Sequence, residues 1–128
     1  MGPKRPEDLN PMFAHAANAG DLPALLVLYD PGAKLVSRTG EVAEGHVAIE
    51  SSLRRLIAMG GKVSSTTAFC LVQGELALVQ ADWAIADGRT ETGSPVNLAA
   101  RSSEFLRRQL DGTWKVLLDH PFAHVLSK

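Results

Sequence analysis

The apolar positions change their period once along the chain. Phe13, Ala16 and Ala17 recur at helical spacing, and Leu22, Leu25, Leu26 and Tyr29 repeat the pattern a few residues later. Asn10 followed by Pro11 reads as an N-cap with proline in the first turn, and Asn18-Ala19-Gly20 stops the run, so the first predicted helix is short. Asp21 predicts the start of a second helix. Its carboxylate can accept from the free amides of the next turn, where Pro23 has no amide to satisfy. Tyr29 falls at the end of that helix, and Asp30-Pro31-Gly32 reads as the turn after it. Residues 33–37 are a strand candidate, with Arg38-Thr39-Gly40-Glu41 as the following turn. A third helix opens at Gly45. Ile49, Leu53, Leu56 and Ile57 fall on one stripe, Glu50, Arg54 and Arg55 lie outside it, and Gly60-Gly61 ends it.

Beyond Gly61 the period is about two. Residues 63–72, 76–86, 96–110 and 114–120 read as strands, separated by Gln73-Gly74-Glu75, residues 88–95 and Asp111-Gly112. Helices first and a meander of long strands afterwards predict an α+β layout, one curved antiparallel sheet covered by helices on a single face.

Composition narrows the partners. A chain of 128 residues has the length of one domain, and no repeat or charge block divides it. We expect a single domain over 1–128, with the proline-rich residues 1–6 as a mobile end. Thirteen Lys and Arg against fourteen Asp and Glu leave a net charge of -1, which offers no long-range field toward nucleic acid or an anionic membrane. The single cysteine, Cys70, cannot form an internal disulfide, and no apolar stretch is long enough to export or span, so a reduced cytoplasmic protein is expected. Neither G-x-G-x-x-G nor a Walker loop nor G-x-S-x-G occurs, and no cofactor is expected. His120 and His124 have a spacing that suits metal ligation on a helix, but Pro121 and the lack of a nearby cysteine or carboxylate ligand argue against a metal.

Six segments together resemble the NTF2-like superfamily over about residues 7 to 122. They are the run from Phe13 to Tyr29 (FAHAANAGDLPALLVLY), Ala33-Lys34-Leu35-Val36, Glu44-Gly45-His46-Val47-Ala48-Ile49, Gly74-Glu75-Leu76-Ala77-Leu78-Val79, Glu104-Phe105-Leu106-Arg107-Arg108 and Asp111-Gly112-Thr113-Trp114-Lys115-Val116. The likeness is greatest to the SnoaL-like and DUF4440 branch. It implies a cone in which three N-terminal helices pack on one face of a strongly curved antiparallel sheet with a mixed edge. It also implies a pocket between sheet and helices, and a homodimer formed through the sheet's outer face. The same cone serves isomerases, cyclases, dehydratases, non-catalytic subunits and binding modules. Ketosteroid isomerases of this superfamily carry an acidic base at the end of the first strand and a tyrosine in the first helix. By alignment those positions are Ser37 and Phe13, which lack the base and the donor that the mechanism needs.

Strand parity then nominates the pocket. Ala77, Val79, Ala81 and Trp83 share one face of their strand, Ser103, Phe105, Arg107 and Gln109 one face of the next, and Trp114, Val116, Leu118 and His120 one face of the last. With the family's pocket side as a guide, the expected ligand-binding set is Phe13, Tyr29, Ser37, Trp83, Phe105, Arg107 and His120. His120 is the expected catalytic acid–base, since imidazole titrates near neutrality. Asp119, its neighbour, points to the opposite face and is expected to pair with Arg107 or Lys115. An inward Arg101 or Arg107 would favour a carboxylate ligand. The leading expectation is a protein that binds a small apolar or singly charged ligand. The alternatives are an isomerase, cyclase or dehydratase using His120, and a non-catalytic partner-binding subunit.

Overall fold

A computed structural model describes residues 2–127. Helices α1 (Leu9–Asn18) and α2 (Leu22–Leu26) lead into β1 (Tyr29–Val36), a short β2 (Val42–Glu44), the longer α3 (Gly45–Ala58), and then β3 (Lys62–Gln73), β4 (Leu76–Arg89), β5 (Pro95–Arg108) and β6 (Trp114–Ser127). One six-stranded sheet runs in the order β2-β1-β6-β5-β4-β3. Every neighbouring pair is antiparallel except β1 and β6, which run parallel. The chain is therefore the expected α+β fold with a mixed edge.

Local chemistry explains the helices. The Asp21 carboxylate accepts from Ala24 N at 3.1 Å and starts α2. In α3, Ile49 and Leu53 are fully buried while Arg54 reaches back to Glu50 on the solvent side at 2.8 Å. The helices bury Leu9, Leu25, Ile49 and Leu53 against Val79, Leu106 and Val116 of the sheet, and a smaller cluster gathers Ala14, Val63 and Ile85. Register shifts in β3, β4, β5 and β6 bend the long strands. The curvature leaves room between sheet and helices that no core side chain fills.

Several local expectations are corrected. Residues 2–6 are not a mobile end: Gly2, Pro3 and Pro6 are buried, and Pro3 O accepts from Trp114 N at 2.9 Å; Met1 lies outside the described residues. Asn10 sits inside α1 and is buried, so it caps nothing. Tyr29 opens β1 instead of closing α2, and Asp30-Pro31-Gly32 forms an irregular part of that strand. There the Asp30 carboxylate accepts from Gly32 N at 3.0 Å, which satisfies the amide where the regular ladder is broken. Residues 42–44, which the sequence pattern assigns to no element, add an edge strand on β1, and β6 continues past His120.

Candidate functional site

A cavity of about 610 Å³ lies between the concave face of the sheet, α1 and α3. Phe13, Leu35, Leu53, Leu56, Trp83 and Ile85 contribute to an apolar wall. Trp83 is held by two contacts: its Nε1 donates to Pro121 O at 2.7 Å, and its ring meets Phe122 edge-on at 5.3 Å and 71°. Such a concave apolar space with few polar groups is the ordinary form of a small-molecule site.

Two acidic groups of the lining stand on β5 and β6. Glu104 and Asp119 are paired residues of the two strands, and both line the cavity. Glu104 is only 3% exposed. Its Oε1 accepts from Asn10 Nδ2 at 2.8 Å, and its Oε2 has no partner among the described residues. Asp119 Oδ2 accepts from the Tyr29 hydroxyl at 2.7 Å. Burial, and then the charge of Asp119, push the Glu104 carboxyl up to about 8, with the Ser102 hydroxyl and the Asn10 amide pulling the other way. Burial lifts Asp119 to about 6, opposed by the Tyr29 hydrogen bond. Burial and the adjacent Asp119 raise the Tyr29 phenol well above its ordinary value, so it remains a donor. Burial thus raises both carboxyls above the ordinary carboxylate range, Glu104 further than Asp119.

Phe13, Tyr29, Ser37 and Trp83 line this cavity, whereas Phe105, Arg107 and His120 do not. The register explains each displacement. Ala77, Val79, Ala81 and Trp83 face inward and pair with Leu106, Glu104, Ser102 and Ala100, and paired residues share a face. Phe105 therefore stands opposite Leu78 on the outer face, 46% exposed. Arg107 also points away from the cavity and donates to Asp30 Oδ2 at 2.9 Å, while Arg101 pairs with Asp82 on the outer side at 2.7 Å. In β6 a bulge intervenes: Leu106 pairs with Val116 but Phe105 with Leu118, which leaves Leu117 as the extra residue. One extra residue reverses every face beyond it. Trp114 and Val116 face the core, but after the bulge Asp119 and Pro121 face the cavity and His120 is exposed outside. Asp119 consequently bonds Tyr29 and pairs with neither Arg107 nor Lys115. The residues missed from the sequence are Asn10, Glu104, Asp119 and Phe122. The available signal was an acidic residue within each of the last two strands, with apolar residues on either side in the chain. Among the described residues no cluster of three or more His, Cys, Asp or Glu could hold a metal ion, and no helix is long and apolar enough to cross a membrane.

An α+β cone with a lined cavity defines a fold shared with solved structures. No family model and no curated protein matches the sequence. The structure is similar to a ketosteroid isomerase-like protein from Erwinia carotovora atroseptica, with a TM-score of 0.74 and 17% identity over 85% of this chain and 85% of that one. It is also similar to an NTF2-like superfamily protein from Salmonella enterica (TM-score 0.71, 15% identity, 89% of this chain and 86% of that one). A third is an NTF2-like protein with a cystatin-like fold from Novosphingobium aromaticivorans (TM-score 0.66, 19% identity, 88% of this chain and 75% of that one). The chain has the NTF2-like cone fold.

Proposed function

We propose that the protein binds a small, mainly apolar molecule in the cone and moves protons on it, as a cofactor-independent enzyme of the isomerase, cyclase or dehydratase kind. The observation that carries this reading is the Glu104–Asp119 pair, set in register in the wall of an apolar cavity, where burial raises both carboxyls. Ionised Asp119, oriented by the Tyr29 hydroxyl, takes a proton from a carbon next to a carbonyl. Protonated Glu104, oriented by Asn10, gives one to the carbonyl oxygen. His120 has no part in this chemistry, since it is exposed on the other face.

The test is deuterium exchange next to the carbonyl of a bicyclic ketone such as tetralone, followed by NMR. Acceleration over buffer of about 10²-fold or more is expected for the wild type, with loss in Asp119→Asn and Glu104→Gln. An accelerated exchange that both variants retain refutes the assignment. A rise in Tm with ketone but no exchange would leave the second reading, ligand binding without turnover. That reading is favoured by Asn10 and Tyr29, which already occupy one oxygen of each carboxyl.

The homodimer belongs to the same proposal. Leu71, Leu78, Phe105 and Leu118 are successive cross-strand partners and form an apolar row over β3 to β6 on the outer face, extended by Phe69 and Leu76. A contiguous exposed apolar row of this kind marks an association surface. A second copy related by a two-fold axis would cover it with the same row. Light scattering is expected to give a dimer for the wild type and a monomer for Phe105→Asp. A monomeric wild type would overturn the dimer.

A further inference from the structure

The chain has eight arginines, and five of them form ion pairs with carboxylates: Arg5, Arg54, Arg101, Arg107 and Arg108. The other three have no carboxylate within salt-bridge distance among the described residues. Arg89 donates to Gly93 O in its own loop. Arg38 and Arg55 both line the cavity. Both are also exposed, so they stand where the cavity opens to solvent.

Each is positioned without being neutralised. The Arg38 guanidinium lies 5.6 Å from the centre of the Phe122 ring, the same ring that meets Trp83. Arg55 donates only to hydroxyls of its own helix, Ser51 Oγ at 3.3 Å and Ser52 Oγ at 3.4 Å. Glu41 also lines the cavity and accepts from Thr39 Oγ1 at 3.4 Å, so the opening carries two cationic groups against one anionic group. The inner wall has the opposite character, since the carboxyl groups of Glu104 and Asp119 line it. The cavity is therefore polarised, with cationic groups at the mouth, apolar walls between, and acid at the inner wall.

We infer that the substrate is an amphipathic acid: an apolar ring system bearing one carboxylate, which Arg38 and Arg55 hold at the mouth while the uncharged, carbonyl-bearing end reaches Glu104 and Asp119. This rests on the proton-transfer reading for the inner end only. The anion preference at the mouth is separate from it. Repulsion by the inner carboxyl pair prevents the reversed orientation, so charge alone sets which end of the molecule meets the acid–base groups. A planar guanidinium presents paired N–H donors that match a carboxylate.

The experiment compares naphthylacetate with naphthylacetamide, which have the same ring and differ in charge, by titration calorimetry on the full chain. The wild type is expected to bind the acid about tenfold more tightly than the amide at low salt, a preference that shrinks as salt screens the exposed guanidiniums. Arg38→Gln and Arg55→Gln should each weaken the acid about threefold or more without changing the amide, and the double variant should bind the two equally. Both positions are exposed, and an unchanged Tm shows that the variants fold. Equal affinity for acid and amide in the wild type, a preference that survives the double substitution, or no binding of either compound overturns the inference. Anion preference without ketone exchange would instead refute the proton-transfer reading and leave the mouth assignment standing.

Discussion

Replacing Glu104 by Gln removes the proton equilibrium from the buried pair while keeping its shape. The Gln Oε1 still accepts from Asn10 Nδ2, and its amide nitrogen stands where Glu104 carries the proton. Folding raises the Glu104 carboxyl from 4.5 to about 8. Below the lower value the group is protonated in both states and costs nothing. Between the two values the folded state holds a proton that the unfolded chain releases, so wild-type stability falls as pH rises through this window. Above it, both states are ionised and the whole cost is present. At about 1.36 kcal/mol per tenfold change in proton affinity, the full rise is worth about 5 kcal/mol. Part of it arises from the charge of Asp119 and is shared between the two groups, so a gain of about 2–5 kcal/mol is expected for Glu104→Gln at alkaline pH. Near pH 5 the two proteins should differ by less than about 1 kcal/mol. Urea unfolding followed by tryptophan fluorescence at a series of pH values measures this difference directly. Parallel stability curves for wild type and variant across the window would refute the reasoning, because they would place no shifted proton on Glu104. A more stable variant that has lost ketone exchange would be the usual exchange of stability against activity at a site.

Three further outcomes follow from the packing. Tyr29→Phe removes the donor to the buried Asp119 carboxylate and should cost about 1–3 kcal/mol in urea unfolding, with the Asp119 carboxyl moving further up in an NMR titration. Burial pushes Asp30 up, but the Gly32 amide, Arg107 and Gln109 together hold it below its ordinary 3.8. Arg107→Ala should therefore cost about 1 kcal/mol near neutral pH, a loss that disappears as pH falls through the folded value, since a lowered carboxyl stabilises only where it is ionised. A Cβ added at Gly61 would stand 2.7 Å from Ala86 O and from Gly88 N, both backbone atoms, so Gly61→Ala should lower stability by about 1–3 kcal/mol as read by thermal unfolding.

The candidate site was legible where it depends on one strand or helix alone. The face of β4 that carries Trp83 follows from a period of two, and Phe13 from the alignment that the family resemblance implies; both line the cavity. Phe105 and Arg107 were misplaced because alternation identifies two faces without saying which one meets the helices. That choice is made by pairing Glu104 with Val79 and Leu106 with Ala77. His120 was misplaced because nothing local marks Leu117 as an extra residue, although that residue exchanges His120 for Asp119 in the cavity.

By itself, the sequence determined the three helices and, the far end of β6 apart, the long strands to within a few residues, because helix stripes, capping aspartate and Gly-containing turns act over a few residues and need no distant partner. It also determined the α+β order and the near-balanced net charge of -1. Tertiary structure decided which acids meet. Asn10 and Glu104 are 94 residues apart, and Tyr29 and Asp119 are 90 apart; each contact exists only once α1 and β1 have docked against β5 and β6. Docking also supplies the burial that lifts Glu104 and Asp119 away from ordinary carboxylates. Proton affinity at this site is a property of the folded cavity, since the same residues in an open chain would both be ionised and inert at neutral pH.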